Sequence, residues 1–339
     1  MKSPLDTAAT PDSGQTHALS AETRPAHIAH KMEPAMPSRK IWFRGAIVPV
    51  EQANISVLSA TAQFGLNVFE GIRCYSSASD SRQVFAFRLK EHFARLLDSC
   101  KLLGLNSPYT SADLKECLIQ TIRANDYHED VGVRLTLFVD GESSWSSEGP
   151  VAMFIAPLGK KRLDVEAPTT LSACISTWER IDDSCFPPRA KTGANYINSR
   201  YAHLEAKRNG YDCPIFLGRD GKVAEGGGAC LFMVRRGVLT TPSVTSSILE
   251  GITRSTVLKL AADLGMQVME RDIDRTELYL AEELFLCGTA VELTPITSVD
   301  RVSVGSGQPG PMTITLLRRY LGAVSNQTGC YSEWLDPIY

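Results

Sequence analysis

The sequence predicts a mixed α+β fold in two domains, and three observations carry that prediction. Short apolar runs, bounded by turns at Arg44-Gly45, Asp220-Gly221 and Arg236-Gly237, read as hairpin strands. Other segments repeat their apolar residues every three or four positions, as one face of a helix does. The 339 residues suffice for two domains of ordinary size, each with its own core.

In chain order, "KIWFRGAIVPVEQANISVL" gives short strands around Arg44-Gly45. "QVFAFRLKEHFARLLDSCKLLGL" begins as a strand and becomes a helix, with Phe93, Leu96, Leu97, Cys100 and Leu103 on one face and Gly104 as its stop. "SADLKECLIQTIRAN" is a second helix with Leu114, Cys117, Leu118 and Ile122 inward. "VGVRLTLFV" and "VAMFIAPL" are strands flanking the polar loop "VDGESSWSSEGP". After a break in pattern, a helix runs from Asn195 to Arg208, and "CPIFLGRDGKVAEG" and "CLFMVRRGVLTTP" are hairpins. "GITRSTVLKLAADLGM" is a helix behind a glycine, and "AEELFLCGTAVELTPITSVD" is strand, turn and strand. The expected boundaries are a small α/β domain over 39–157, a linker over 158–169 and a large domain over 170–339.

Residues 1–38, rich in Ala, Thr, Ser, Pro and His, lack apolar periodicity and read as a disordered extension. Their acids and the lack of an apolar secretory core argue against targeting, so the cytoplasm is expected. A net charge of −3 removes the electrostatic case for nucleic acid or an anionic membrane. No apolar run reaches the length of a membrane span. Nine scattered cysteines without a C-x-x-C pair read as reduced thiols. The six histidines, three of them (His17, His27, His30) in the extension, show no ligand spacing, so no metal is expected.

One lysine stands apart. In "PPRAKTGANY" a stiff Pro-Pro run and small residues surround Lys191, which leads directly into a helix. A desolvated lysine becomes a nucleophile able to form a Schiff base, although a lone lysine is ordinarily a surface residue. Glu225 ends a strand before Gly226, Gly227 and Gly228, where the backbone can approach a ligand closely. In "LEGITRST" a glycine precedes a helix start, leaving the Ile252 and Thr253 amides for a phosphate. "CGTAVELTP" is a turn able to offer amides to a carboxylate. A lysine, a carboxylate, a phosphate-ready helix end and an amide turn together suit pyridoxal 5′-phosphate.

The chain resembles the class IV aminotransferases, specifically the branched-chain amino acid aminotransferase group of fold type IV. The stretches that carry the resemblance are "FGLNVFEGIRCY", "FRLKEHFARL", "STWERIDDSCFPPRAKTGANYINS", "GKVAEGGGACLFMV", "SSILEGITR", "LFLCGTAVELTPI" and "PGPMTITLLRRYL", in the family's order and covering nearly everything after residue 40. The resemblance implies a larger domain with a β-barrel core and a cofactor lying between the domains. It also implies a homodimer, or a higher oligomer built from it, completing each active site.

Residue by residue, it makes Lys191 the catalytic lysine, bonded to the cofactor and carrying the substrate proton. Glu225 is implied at the pyridine nitrogen, Tyr196 at the phenolic oxygen and Arg95 at the phosphate. Ile252 and Thr253 complete the phosphate cup, with Gly228 leaving room. The Thr289 and Ala290 amides take the substrate carboxylate, and Phe69, Arg134 and Phe64 line the pocket. The implied reaction moves an amino group between an L-amino acid and 2-oxoglutarate.

Three tyrosines of the branched-chain members are missing: Phe64 and Gly132 stand at two of their places, and the segment 158–161 at the third. Ala229-Cys230 replaces the usual Glu-Asn. A substrate range altered from branched-chain amino acids is therefore expected. An aminodeoxychorismate lyase, a D-amino acid or (R)-amine transaminase, and a non-catalytic protein that kept the fold are the rival readings, which the intact Lys191, Tyr196 and Glu225 and the "VFEGIRCY" and "GTAVELTP" motifs disfavour.

Overall fold

The computed structural model describes residues 39–339; the expected disordered extension 1–38 and its histidines lie outside the described residues. The first sheet is built from β1 (Lys40–Phe43), β2 (Ala46–Pro49), β3 (Asn67–Ser76), β4 (Val84–Phe87), β5 (Val131–Val139) and β6 (Val151–Gly159). Arg44 and Gly45 turn the β1–β2 hairpin at φ of 49° and 94°, a left-handed corner that glycine adopts without steric cost. Helix α1 (Ala60–Phe64) precedes β3, and α2 (Leu89–Leu102) and α3 (Ser111–Ala124) cover this sheet. As the periodicity requires, Phe93, Leu96 and Cys100 of α2 and Leu114, Cys117, Leu118 and Ile122 of α3 are buried in one core with the strands. Leu97 and Leu103 are only partly buried. Gly104 ends α2 in the left-handed region, and a Thr110–Asp113 capping box starts α3.

The second sheet contains β7 (Leu171–Ile175), β8 (Cys213–Leu217), β9 (Val223–Gly226), β10 (Cys230–Arg235), β11 (Val238–Thr241), β12 (Val268–Glu270), β13 (Glu283–Gly288), β14 (Glu292–Val299) and the short β15 (Val302–Ser303). Its order is β12-β11-β10-β13-β14-β7-β8-β9, with β15 on β14. The sheet curls into a half-barrel, so that its edge strand β9 turns directly into β10, the Gly226 amide donating to the Ala229 carbonyl at 2.8 Å. Helix α4 (Asn195–Arg208) packs on β8, while α5 (Ile252–Asp263) and α6 (Pro311–Val324) cover β13. Phe232 and Phe285 stack face to face at 5.1 Å in the core beneath α5 and α6.

Three features depart from the simple pattern. Strand β3 carries Glu70 and Arg73 in its buried middle, which hides it from an alternation count. Strand β16 (Leu335–Pro337) returns after α6 to pair with β4, completing a seven-stranded first sheet in the order β16-β4-β3-β5-β6-β1-β2. The segment expected to link the domains is pinned down: the Leu163 amide donates to Glu292 Oε2 at 2.6 Å, and Arg73 Nη2 donates to the Lys160 carbonyl at 3.0 Å. Glu292 also accepts from the buried Tyr75 hydroxyl at 2.8 Å, so one carboxylate of the second sheet ties that segment to β3. All nine cysteines are free thiols, seven of them buried.

Candidate active site

Lys191 is fixed by its backbone before its side chain is considered. The Ala190 amide closes a turn on the Pro187 carbonyl, and Asn195 Nδ2 donates to the Ala190 carbonyl at 2.9 Å. The Lys191 amide donates to Ser99 Oγ of α2 at 3.0 Å, and the Lys191 carbonyl accepts the Phe69 amide of β3 at 2.9 Å. The lysine thus stands where α2, β3 and the start of α4 meet. Its Nζ lies 3.0 Å from the Tyr196 hydroxyl and 5.2 Å from the centre of the Phe69 ring. Phe69 and Tyr196 contact each other with ring centres 5.1 Å apart.

Glu225 faces the same space from β9. It is buried, with Oε1 at 2.8 Å from Arg180 Nε and Oε2 accepting the Leu249 amide at 3.3 Å. Burial pushes the Glu225 carboxyl above its ordinary range, against the opposing charges of Arg180 and Lys191. Gly226 packs tightly beside it: a Cβ there would lie 2.9 Å from Leu286 Cδ2, which would have to shift.

A second buried carboxylate organises the opposite wall. Glu70 of β3 accepts Arg95 Nε and Nη2 at 2.8 and 2.7 Å, a two-pronged ion pair, and His92 Nδ1 at 2.7 Å. Burial pushes Glu70 up, yet the Arg95 guanidinium and His92 together hold its carboxyl down at about 2. Burial lowers the His92 pKa, so the neutral imidazole serves as a hydrogen-bond donor and Arg95 is the true counter-ion. Arg95 Nη1 donates to the Glu250 carbonyl at 2.8 Å, which seats the guanidinium against the approach to α5. The N-cap of α5 is Gly251, so no side chain satisfies the first amides of the helix. A side chain at 251 has no room, since its Cβ would lie 2.7 Å from Cys230 Sγ.

These groups converge on one cavity of about 200 Å³. Arg95, Lys191, Tyr196, Glu225, Gly228, Ile252, Thr253, Thr289, Ala290, Phe69 and Arg134 all line it. The Arg134 guanidinium lies 4.1 Å over the face of Phe69, and no carboxylate among the described residues pairs with it. Phe64, expected in the pocket, does not line the cavity. It ends α1, Gly65 reverses the chain at φ 68°, and the ring is left half exposed while β3 carries Phe69 inward. Gly132 shares a strand face with Arg134, and a Cβ there would meet Lys160 Cβ at 3.7 Å, so the stem of Lys160 lies beside the place of the missing tyrosine. Residues that the sequence did not place in the pocket also form the wall: Arg180, Leu249, Cys230 and Cys287. Only pairing between distant segments brings them there, for instance the Cys230–Cys287 register of β10 and β13.

Residues 67–299 match the amino-transferase class IV family, and the chain belongs to that family. Its relatives have a narrower description. The branched-chain-amino-acid aminotransferase of Escherichia coli (strain K12) is 38% identical over 307 residues, covering 88% of this chain and 97% of that protein. The crystal structure of the branched-chain amino acid aminotransferase from Thermobaculum terrenum in its PLP form superposes with a TM-score of 0.84 at 41% identity, covering 89% of this chain and 99% of that one. The branched-chain aminotransferase from Thermoproteus uzoniensis, crystallised with norvaline, also gives 0.84, at 39% identity over 89% of this chain and all of that one. Among the described residues, no helix is long and apolar enough to cross a membrane.

Proposed function

We propose that the cavity binds pyridoxal 5′-phosphate and that the protein transfers an amino group between an L-amino acid and 2-oxoglutarate. The observation that carries this reading is a lysine amine against a phenol, facing a buried carboxylate across one cavity. The residues present fit the cofactor. Arg95 and the uncapped α5 terminus with Thr253 suit its phosphate, Tyr196 its phenolic oxygen, Glu225 its ring nitrogen and Lys191 its aldehyde. When bound, the cofactor supplies a protonated ring that stores the electron pair released at the substrate Cα.

The chain's own groups do the rest. Lys191 Nζ takes the proton from the substrate Cα and returns it on the far side of the amino transfer. The Tyr196 hydroxyl, 3.0 Å away, orients that amine. Thr289 and Ala290 receive the substrate carboxylate at the β13–β14 turn. In this reading the small domain over 39–157 contributes Phe69, Arg95 and Arg134, the large domain over 170–339 contributes the remaining groups, and 158–169 links them.

Arg134, with no carboxylate partner among the described residues, serves as the clamp for the distal carboxylate of 2-oxoglutarate. Among the described residues Tyr196 carries the only phenol on the cavity wall, so donors longer or more polar than valine are favoured over the branched-chain amino acids. A panel of L- and D-amino acids with 2-oxoglutarate, read as glutamate formed, tests both statements. Arg134→Ala is expected to raise the KM for 2-oxoglutarate on the order of tenfold or more, with a smaller effect on the donor. An unchanged KM removes the clamp, and highest kcat/KM with valine, leucine and isoleucine removes the altered donor range.

A homodimer is part of the same proposal. Val57 and Trp145 are 79% and 73% exposed and Phe64 is half exposed; the Ser143 amide donates to the Leu58 carbonyl at 3.2 Å and joins the two loops that carry this apolar set, suited to a second copy of the chain. Sedimentation at micromolar concentration is expected to give a dimer; a monomer there refutes it.

A further inference from the structure

Arg180 has no role in the chemistry described so far, yet it is the cation nearest the buried acid. We propose that Arg180 is a positioning residue for Glu225: it holds the carboxylate ionised, so that the proton shared between Glu225 and the cofactor's ring nitrogen resides on the nitrogen. The inference rests on the proposed place of Glu225 at that nitrogen.

The geometry is built for this. The Arg180 amide donates to the Leu217 carbonyl at 2.9 Å, fixing the backbone to the end of β8. The side chain is 6% exposed, with Nη1 donating to Asn198 Oδ1 at 3.3 Å; Asn198 is itself tied to the Glu179 carbonyl at 3.0 Å. A guanidinium this buried needs a counter-charge, and Glu225 Oε1 at 2.8 Å supplies it. Arg180 Nε is nevertheless without a well-aligned acceptor, so the contact delivers charge more than a directed hydrogen bond. The lone pairs of the carboxylate therefore stay available to another donor.

The proton has two places to sit, and atoms and charge balance in both. Either a carboxylate faces a protonated ring nitrogen, or a carboxylic acid faces a neutral one. Burial favours the neutral arrangement, and burial is the leading influence on Glu225. Two cations of the described residues act against it, Arg180 and Lys191. Lys191 Nζ works at the aldehyde end of the cofactor, as nucleophile and proton carrier, and its charge changes during turnover. Arg180 is then the permanent charge that selects the ionised arrangement, the one in which the ring accepts electrons.

The experiment uses full-length protein loaded with pyridoxal phosphate labelled with nitrogen-15 in the ring and reads the ring-nitrogen chemical shift. Wild type and Arg180→Lys are expected at the protonated position. Arg180→Gln, and Arg180→Met as a second variant of similar volume, are expected to move toward the unprotonated position. Their kcat is expected to fall on the order of tenfold or more, with KM changing far less. A ring nitrogen that stays protonated in Arg180→Gln or Arg180→Met overturns the inference. Glu225→Gln separates it from the reading beneath it. If Glu225→Gln shifts the nitrogen and the Arg180 variants do not, only the role of Arg180 fails. If Glu225→Gln leaves the nitrogen unmoved, the placement of Glu225 fails as well.

Discussion

Lys191→Ala is expected to lose turnover by at least ~10⁴-fold, because one side chain supplies both the nucleophile and the proton carrier. Among the described residues no other amine lines the cavity to take its place. The neighbouring backbone should survive the change: the turn is held by Asn195, Ser99 and Phe69 through main-chain atoms that alanine retains. The loss therefore appears in kcat rather than in folding, which a melting curve beside the kinetics establishes. Wild-type protein is expected to carry a visible absorption band that borohydride bleaches, with the added mass on the peptide containing Lys191. A Lys191→Ala protein turning over at the wild-type rate sinks the mechanism.

Glu225→Gln is expected to slow proton removal from the substrate on the order of 10²-fold or more, while cofactor still binds. Binding survives because the proposed phosphate contacts, Arg95 and the start of α5, lie on other elements and do not depend on the carboxylate. The rate falls because an amide cannot balance a charged ring nitrogen. The change also leaves Arg180 buried without its counter-ion, so some thermal destabilisation accompanies it. Single-turnover kinetics make the test independent of product release. An unchanged rate places Glu225 away from the nitrogen.

Much of this was legible in the sequence where local rules decide the outcome. The apolar faces of α2 and α3, the glycine after α2 and the hairpin at Arg44-Gly45 follow from periodicity and turn chemistry. Lys191, Tyr196 and Glu225 lie in dense motifs, and the fold brings them to one cavity. What stayed hidden depends on partners distant in the chain. Glu70 and Arg73 look like solvent-facing charges until the fold supplies Arg95 and Glu292, and this is why β3 does not read as a buried strand. Arg180 sits in a motif quoted for its resemblance, but its meaning comes from Glu225, which no spacing rule connects to it. Phe64 is a different case: the motif placed it near the pocket, and in one copy of the chain the left-handed turn at Gly65 leaves its ring half exposed while Phe69 lines the cavity.

The return of β16 to the first sheet has a consequence for how the molecule comes together. β4 (Val84–Phe87) pairs with β3 on one side and with Leu335–Pro337 on the other, and Ile338 is fully buried in the core of the first sheet. In the other direction, the side chains of Tyr75 and Phe87 on that sheet pack into the cluster beneath α5 and α6. Each half is thus finished by residues of the other, through contacts of very large sequence separation. Such contacts reward the chain only after the entropy of closing a long loop has been met. The two sheets of residues 39–339 are therefore expected to melt in one transition rather than in turn, with the cavity lined from both.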